Sequence, residues 1–435
     1  MIRPAGESFW RWWGIGRLEV LGIEGKPAFL DQKRQEAFPS LGATSEIFAA
    51  FARLGCTSFG GPVAHIGYFN TEFVTKRQWL SAAQFADIVA LCQFLPGPAS
   101  SQVGFAIGLM RGGLAGALAA FAGFTLPSAI FLTLFALGAA PIAHSALGGG
   151  ILHGLKLVAV SIVAQAVWGM ARSLCPDRTR ATIGFLSAVV MLLAPGPALQ
   201  IVVILVGALA GLALCQSNTP AAAAGPLDMP QARTRAVVCL ALFLALLLLP
   251  PLLGPSWSVF SAFYRSGALV FGGGHVVLPL LRDAVVTPGW VQRSDFLAGY
   301  GAAQSVPGPL FTFAAYLGAV LHNPVGSPSA GIGGAALALM AIFLPGFLLL
   351  LGILPFWRAL RDVDRAQASL RGINAAVVGI LGAALYTPVW TGAISGSTDV
   401  AVALLGFGML VAWRLRPLLV VALGAASGVA MTFMG

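Results

Sequence analysis

Charge is what this 435-residue sequence has least of: 9% of its residues are Asp, Glu, Lys or Arg, against about 25% in a soluble globular domain. Hydrophobic residues make up 58%. Long apolar runs at so low a charge exclude a soluble enzyme, a disordered scaffold and a disulfide-stapled secreted domain. Acidic residues are the scarcer sign, 15 against 25 Lys and Arg, for a net charge of +10. In a membrane chain that excess marks cytoplasmic loops rather than a nucleic-acid surface, so no nucleic-acid partner is expected. The five cysteines, Cys56, Cys92, Cys175, Cys215 and Cys239, form no CxxC pair and no Cys/His cluster. They read as small apolar packers. Five histidines without an HExxH pattern give no metal site. A GxxxxGK[ST] phosphate loop is missing, as are a Ser/His/Asp order and a paired-carboxylate motif. ATP drive, enzyme catalysis and a bound cofactor are therefore not expected. Residues 1–44 do not read as a signal peptide, because charges interrupt each apolar stretch. Trp10, Trp12 and Trp13 give this tail a means of lying on lipid headgroups; a disordered cytoplasmic tail is the alternative reading.

What the sequence does have is apolar runs of membrane-spanning length. Thirteen are counted: 45–69, 83–109, 113–138, 150–171, 181–195, 198–215, 234–253, 257–281, 295–320, 331–355, 372–388, 398–413 and 417–434. With the N-terminus in the cytoplasm, 20 Lys and Arg fall on the cytoplasmic side. Only Lys76 and Arg77 fall opposite, while Arg53, Lys156 and Arg265 lie inside spans. The positive-inside rule supports that orientation, which leaves the C-terminus in the periplasm.

The chain also contains itself twice. Phe51-Ala-Arg53-Leu-Gly55 and Phe59-Gly60-Gly61-Pro62 recur as Phe263-Tyr-Arg265-Ser-Gly267 and Phe271-Gly272-Gly273-Gly274. Gln93-Phe-Leu-Pro96-Gly97-Pro98 recurs as Gln304-Ser-Val-Pro307-Gly308-Pro309, and Trp79, Phe85, Pro127 and Gly154 recur as Trp290, Phe296, Pro345 and Gly372. The matches keep order and a nearly constant offset. The organisation read from this is a tail (1–44), a first repeat (45–215), a linker with a connecting helix (216–256) and a second repeat (257–435). One odd span between two six-span units inverts the second, the plan of many secondary carriers. The expected fold is therefore all-α: a polytopic membrane protein of about thirteen transmembrane helices, built as two inverted six-span repeats with Pro/Gly-broken helices.

The two Pro-Gly-Pro waists remove backbone donors in mid-run and push the preceding residue out of the helical region. Such a waist survives at membrane depth where protein or a wet cavity covers it. The following half-helix presents free amides, with Ser100, Ser101 and Gln102 in the first copy and Thr312 in the second, donors suited to a tetrahedral oxyanion. Helix kinks that merely fit packing are the alternative. Gly60, Gly61, Pro62, Gly272 and Gly273 break two further runs, for close approach to a ligand or for close helix packing. Arg53 and Arg265 are matched intramembrane arginines, suited to an oxyanion or to snorkelling. Gln93 and Gln304 precede the waists and serve either the freed backbone or the substrate. His65, His275 and Asp87 are the proton-coupling candidates; a structural hydrogen bond for the histidines, and pairing with Lys76, Arg77 or Arg53 for Asp87, are the alternatives.

At Phe59-Gly-Gly-Pro62-Val-Ala-His65-Ile, at Gln93-Phe-Leu-Pro96-Gly97-Pro98 and at Phe271-Gly-Gly-Gly274-His275-Val-Val-Leu-Pro279-Leu, the sequence resembles the chromate ion transporter (CHR) family. The resemblance covers about residues 44–434 and fits the long, two-domain type. It implies a bacterial inner-membrane carrier that exports chromate, confers chromate resistance, draws on proton-motive force and recognises sulfate. A homo-oligomer is compatible with it. A sulfate importer or exchanger, or an anion channel, on the same architecture is the alternative.

Overall fold

The computed structural model describes residues 41–434 apart from 60, 144–145, 195, 217–232, 272–275, 323–329 and 358–362. The expected tail up to residue 40 and most of the linker lie outside the described residues. Among the described residues every regular element is a helix. The first copy comprises α1 (Leu41–Thr57), α2 (Gly61–Phe69, prolonged by a wide turn Asn70–Lys76), α3 (Ala82–Phe94), α4 (Ala99–Ala143), α5 (Ala146–Leu174), α6 (Arg178–Leu193) and α7 (Pro197–Leu214). Then comes α8 (Arg233–Leu248). The second copy comprises α9 (Ser258–Ala268), α10 (Val277–Leu281, prolonged through Arg282–Val286), α11 (Arg293–Ser305), α12 (Phe313–Ala319), α13 (Ile332–Ile353), α14 (Asp364–Ala384), α15 (Ser397–Val411) and α16 (Pro417–Met434).

Local chemistry sets the ends. Ser81 opens α3 with a reciprocal cap: its hydroxyl accepts the Gln84 N–H at 3.2 Å, and Gln84 Oε1 accepts the Ser81 N–H at 3.0 Å. Pro197 and Pro417 sit at the starts of α7 and α16, where a missing N–H costs nothing. Asp177 caps α6 in the loop after α5. Its Oδ1 accepts the Arg180 N–H at 2.9 Å, and that bond holds the carboxyl below the usual carboxylate range.

Among the described residues, the helices break at 58–59, 95–98, 269–271 and 306–309, beside or within the Gly-Gly and Pro-Gly-Pro motifs. The broken segments, however, turn back. Arg77 at the end of the first segment reaches Glu46 near its start, 3.1 Å away. Arg77 and Arg111, which flank the second segment, both lie over the ring of Trp79, at 5.3 and 5.4 Å. In the fourth, the Tyr316 hydroxyl donates to the Asp295 carbonyl at 3.1 Å, and the His322 N–H to the Trp290 carbonyl at 2.8 Å. In the third, the two limbs pack against each other, and Ser258 and Asp283, near their outer ends, line one cavity. Each is a hairpin with its break at the tip. A straight span would hold Arg77 and Arg111 on opposite sides of a bilayer core of about 30 Å; two cations stacked on one indole cannot be so separated.

The second hairpin runs straight into a long helix through Gly112 and Gly113, whose φ of −144° and +59° reverse the chain inside α4. Thirteen straight spans are therefore not confirmed. Among the described residues, the segments long and apolar enough to cross a membrane alone are Ala99–Gly138, whose part after the Gly112–Gly113 break is the long limb, Leu147–Leu174, Ile332–Phe356 and Asp364–Ala393. Large apolar side chains such as Leu118, Ile130, Leu193, Leu205 and Leu404 are exposed on the outer face, as lipid contact requires.

The two copies are interleaved. α6 and α7 pack against α14 of the second copy, and α15 and α16 pack against α5 of the first. Glycines allow backbone contact there: a Cβ on Gly207 would collide with Ala376 and Gly372, and one on Gly150 with Gly428 and Val429.

Candidate functional site

The four hairpin tips meet in the middle of the molecule, each copy's waist against the other copy's glycine break. The Gly97 N–H donates to the Val270 carbonyl at 2.7 Å, and the Gly308 N–H to the Ser58 carbonyl at 2.9 Å. Ser58 and Val270 both precede a Phe-Gly-Gly, so the two bonds are equivalents under the repeat. Both waist glycines have positive φ, +124° at Gly97 and +103° at Gly308, which turns their amides toward the opposite tip. The prolines on either side leave these as the waists' inner donors.

Side chains that follow the tips complete the crossing. Gln102 Nε2 bonds the Pro96 carbonyl at 3.1 Å and the Gly346 carbonyl at 3.0 Å. Thr312 Oγ1 donates to the Pro309 carbonyl at 2.7 Å. His65 lies fully buried at the same place: Nε2 is 3.2 Å from the Ser58 carbonyl, Nδ1 is 3.3 Å from Ser100 Oγ, and the ring edge meets Phe124. Pro98 is buried against Gly346. Gly61 (φ +75°) and Pro62 open α2 behind the first tip. Pro96 and Pro307 flank the waists at half-buried positions.

Around this crossing, several buried polar atoms have no hydrogen-bond partner among the described residues. They are Ser58 Oγ, Ser101 Oγ, Thr125 Oγ1, Gln102 Oε1 and Gln304 Nε2. Unpaired buried polar groups each cost about 1–3 kcal/mol, a cost that a polar ligand or water bonded to them would remove. Four of the five are donors, the right sign for an oxyanion.

Other expected residues stand elsewhere. Gly60, Gly272, Gly273 and His275 lie outside the described residues. Gln93 is exposed on α3; the glutamine that satisfies the freed waist carbonyl is Gln102 instead. Asp87 is buried and accepts the Trp357 indole N–H at 3.0 Å, a strut between the copies. Lys76 and Arg77, named as its possible partners, are engaged by Glu72 at 3.7 and 2.8 Å. Arg53 and Arg265 are exposed on α1 and α9, five residues before Ser58 and Val270 respectively. That is about 7.5 Å along the helix from the crossing, which puts them at its two approaches rather than in it. The sequence reading missed Ser58, Thr125, Ser128 and Gly346. Pairing Pro127-Ser128 with Pro345-Gly346 was the signal available for the last two.

A profile of the chromate transporter family matches the sequence twice, at residues 45–212 and 257–429. The chain belongs to the chromate transporter family. The family match falls on each copy separately and leaves out α8, in keeping with a duplicated unit. The chain is 28% identical over 371 residues to the chromate transport protein of Pseudomonas aeruginosa, covering 82% of this chain and 84% of the relative. It is 27% identical over 336 residues to the chromate transport protein of Cupriavidus metallidurans, covering 76% and 79%. An uncharacterised transporter of Methanocaldococcus jannaschii is 25% identical over 344 residues, covering 77% and 82%. No solved structure matches. Membership makes this a membrane-embedded transport protein, and the apolar helices agree.

Proposed function

We propose that the chain is an alternating-access carrier that exports chromate across the bacterial inner membrane and so confers chromate resistance. The observation that carries this is the crossing: four hairpin tips joined copy to copy by equivalent bonds, with unpartnered donors around them. Two equivalent half-sites give two conformations of similar energy, one open to each side. The alternative, a channel, does not need each copy's waist tied to the other copy's break.

The topology we infer has nine crossings (the long limb of α4, then α5, α6, α7, α8, α13, α14, α15 and α16) and four re-entrant hairpins. The first copy's hairpins enter from the cytoplasm and the second copy's from the periplasm, which makes the repeats inverted. Lys76 and Arg77 then join Arg111 and the other cytoplasmic cations, and Arg282 and Arg293 become the periplasmic pair. Arg53 guards the inner approach and Arg265 the outer. The N-terminus is cytoplasmic and the C-terminus periplasmic, as the sequence suggests.

Export has the favourable sign. One charge moved through 100 mV is worth about 2.3 kcal/mol, so a dianion leaving a negative interior gains about twice that. Where protons couple as well, His65 is the group placed at the crossing to carry them. Sulfate, of the same charge and shape, is expected to compete.

Inside-out vesicles test the reading. An inside-positive potential is expected to drive chromate uptake, with excess sulfate reducing it several-fold and Arg265→Gln lowering it at least fivefold. Sulfate flux without chromate flux would move the substrate to sulfate, and currents far above carrier turnover would replace the carrier by a channel.

A further inference from the structure

A cavity of about 570 Å³ lies outside the crossing, between α7 of the first copy and the α9–α10 hairpin of the second. Its wall is one face of α9: Ser258, Ser261, Ala262, Arg265, Ser266 and Leu269 recur at spacings of three and one, a single helical stripe. The other face is aromatic and packed away. Phe260 stacks on Tyr264 at 5.5 Å, and the Tyr264 hydroxyl bonds the Phe243 carbonyl at 3.1 Å. α9 is thus amphipathic inside a membrane protein, with its polar side turned to a cavity. The stripe ends at Leu269, next to the Val270 carbonyl that holds Gly97.

Opposite stands Gln200 in the first turn of α7. The residue is 1% exposed and lines the cavity, and neither Oε1 nor Nε2 has a hydrogen-bond partner among the described residues. Ser258 Oγ is likewise buried and unpartnered. Among the described lining residues the one carboxylate is Asp283, which is paired with Arg282 at 3.6 Å. Arg265 has no ion-pair partner among the described residues, and it shares the lining with the serine hydroxyls and the Gln200 amide. The repeat puts Val420 where Gln200 stands, counting from the paired Pro197 and Pro417, so the amide belongs to this side alone.

We infer that this cavity is a docking site for a tetrahedral oxyanion dianion on the outer path to the crossing, with Arg265 as its charge and Gln200, Ser258 and Ser261 as its neutral donors. It rests on the carrier reading for its place on the path, and it needs only the cavity for its chemistry. Burying an amide with no protein partner is costly; an oxyanion turns that cost into affinity. The cavity is wide enough to take the anion with part of its hydration shell, which suits brief residence.

The test uses Ala262→Cys in the full-length protein, labelled from outside by a membrane-impermeant anionic thiol reagent and read by mass spectrometry on the peptide carrying position 262. Ile201→Cys, across the cavity, serves if the first variant does not accumulate. Sulfate and molybdate are the probes, since chromate oxidises thiols, and chloride at matched ionic strength is the control. Both dianions are expected to slow labelling. Gln200→Leu should raise the half-protecting concentration at least fivefold, and Gln200→Glu at least tenfold. Gln200→Leu should leave the melting temperature unchanged or higher, because it removes an unpaired amide; a merely structural glutamine would lower stability and leave protection alone. Protection equal in the wild-type and Gln200→Leu backgrounds, or no labelling at either position, overturns the dock. Gln200-dependent protection in a protein that moves no chromate keeps the dock and removes the chromate reading. Normal chromate transport without protection does the reverse.

Discussion

A maleimide that cannot cross the membrane is expected to label Ala83→Cys in inside-out vesicles and not in intact cells, and Thr287→Cys in intact cells and not in inside-out vesicles. Both positions are exposed, the first at the start of α3 and the second just past the α9–α10 hairpin. Thirteen straight spans predict the opposite result at both sites, so the effect is a full reversal rather than a shift in rate. The basis is geometric. Arg77 and Arg111 share Trp79, so the segment between them enters and leaves by one side. Labelling of Ala83→Cys from outside would restore the straight-span topology and invalidate the assignment of Arg265 to the outer approach.

The second large effect belongs to the waist glycines. Gly97→Ala and Gly308→Ala are each expected to lower chromate transport more than tenfold at equal protein level. At φ of +124° and +103° a side chain is strained whatever the space, at about 1–3 kcal/mol; a factor of ten corresponds to about 1.4 kcal/mol. Space is short as well. A Cβ on Gly308 would sit 2.8 Å from Ser128 Oγ, and one on Gly97 would sit 3.1 Å from the Gly346 Cα. Adding Ser128→Gly to Gly308→Ala, which copies the other half's Gly346, should recover part of the loss, because it clears the clash and leaves the backbone strain. Full activity in both single variants would show that the copy-to-copy bonds at the tips are not part of the transport cycle.

The sequence located the breaks with little error, because Pro-Gly-Pro and Phe-Gly-Gly are local chemistry: a missing N–H and a positive φ act on the chain wherever it goes. Whether a broken run continues or returns is a tertiary matter. Two limbs of about 13 residues reach about 20 Å each, enough in series for a kinked span and enough side by side for a hairpin. Hydropathy is the same for both. Even the charge count could not decide: exchanging Lys76 and Arg77 for Arg282 and Arg293 as the outer pair leaves the ratio at 20 to 2. The site was legible to the same degree. Ser100, Ser101, Gln102 and Thr312 were found because they follow the prolines. Thr125 and Gly346 come from helices that pass the tips, and Gln200 from a helix of the other copy; no spacing along the chain announces such neighbours.

The interleaving of the copies sets a schedule for making this protein. α6 and α7 leave the ribosome without the helix they pack against, since α14 begins about 150 residues after α7 ends. At about 5–20 residues per second that is a wait of roughly 8–30 s. Through it the glycine-rich faces around Gly207 and Gly211 have only lipid for company. The first half is therefore a dependant of the second, and a ribosome that stalls inside the second copy leaves behind a membrane-inserted fragment with two helices still unclaimed.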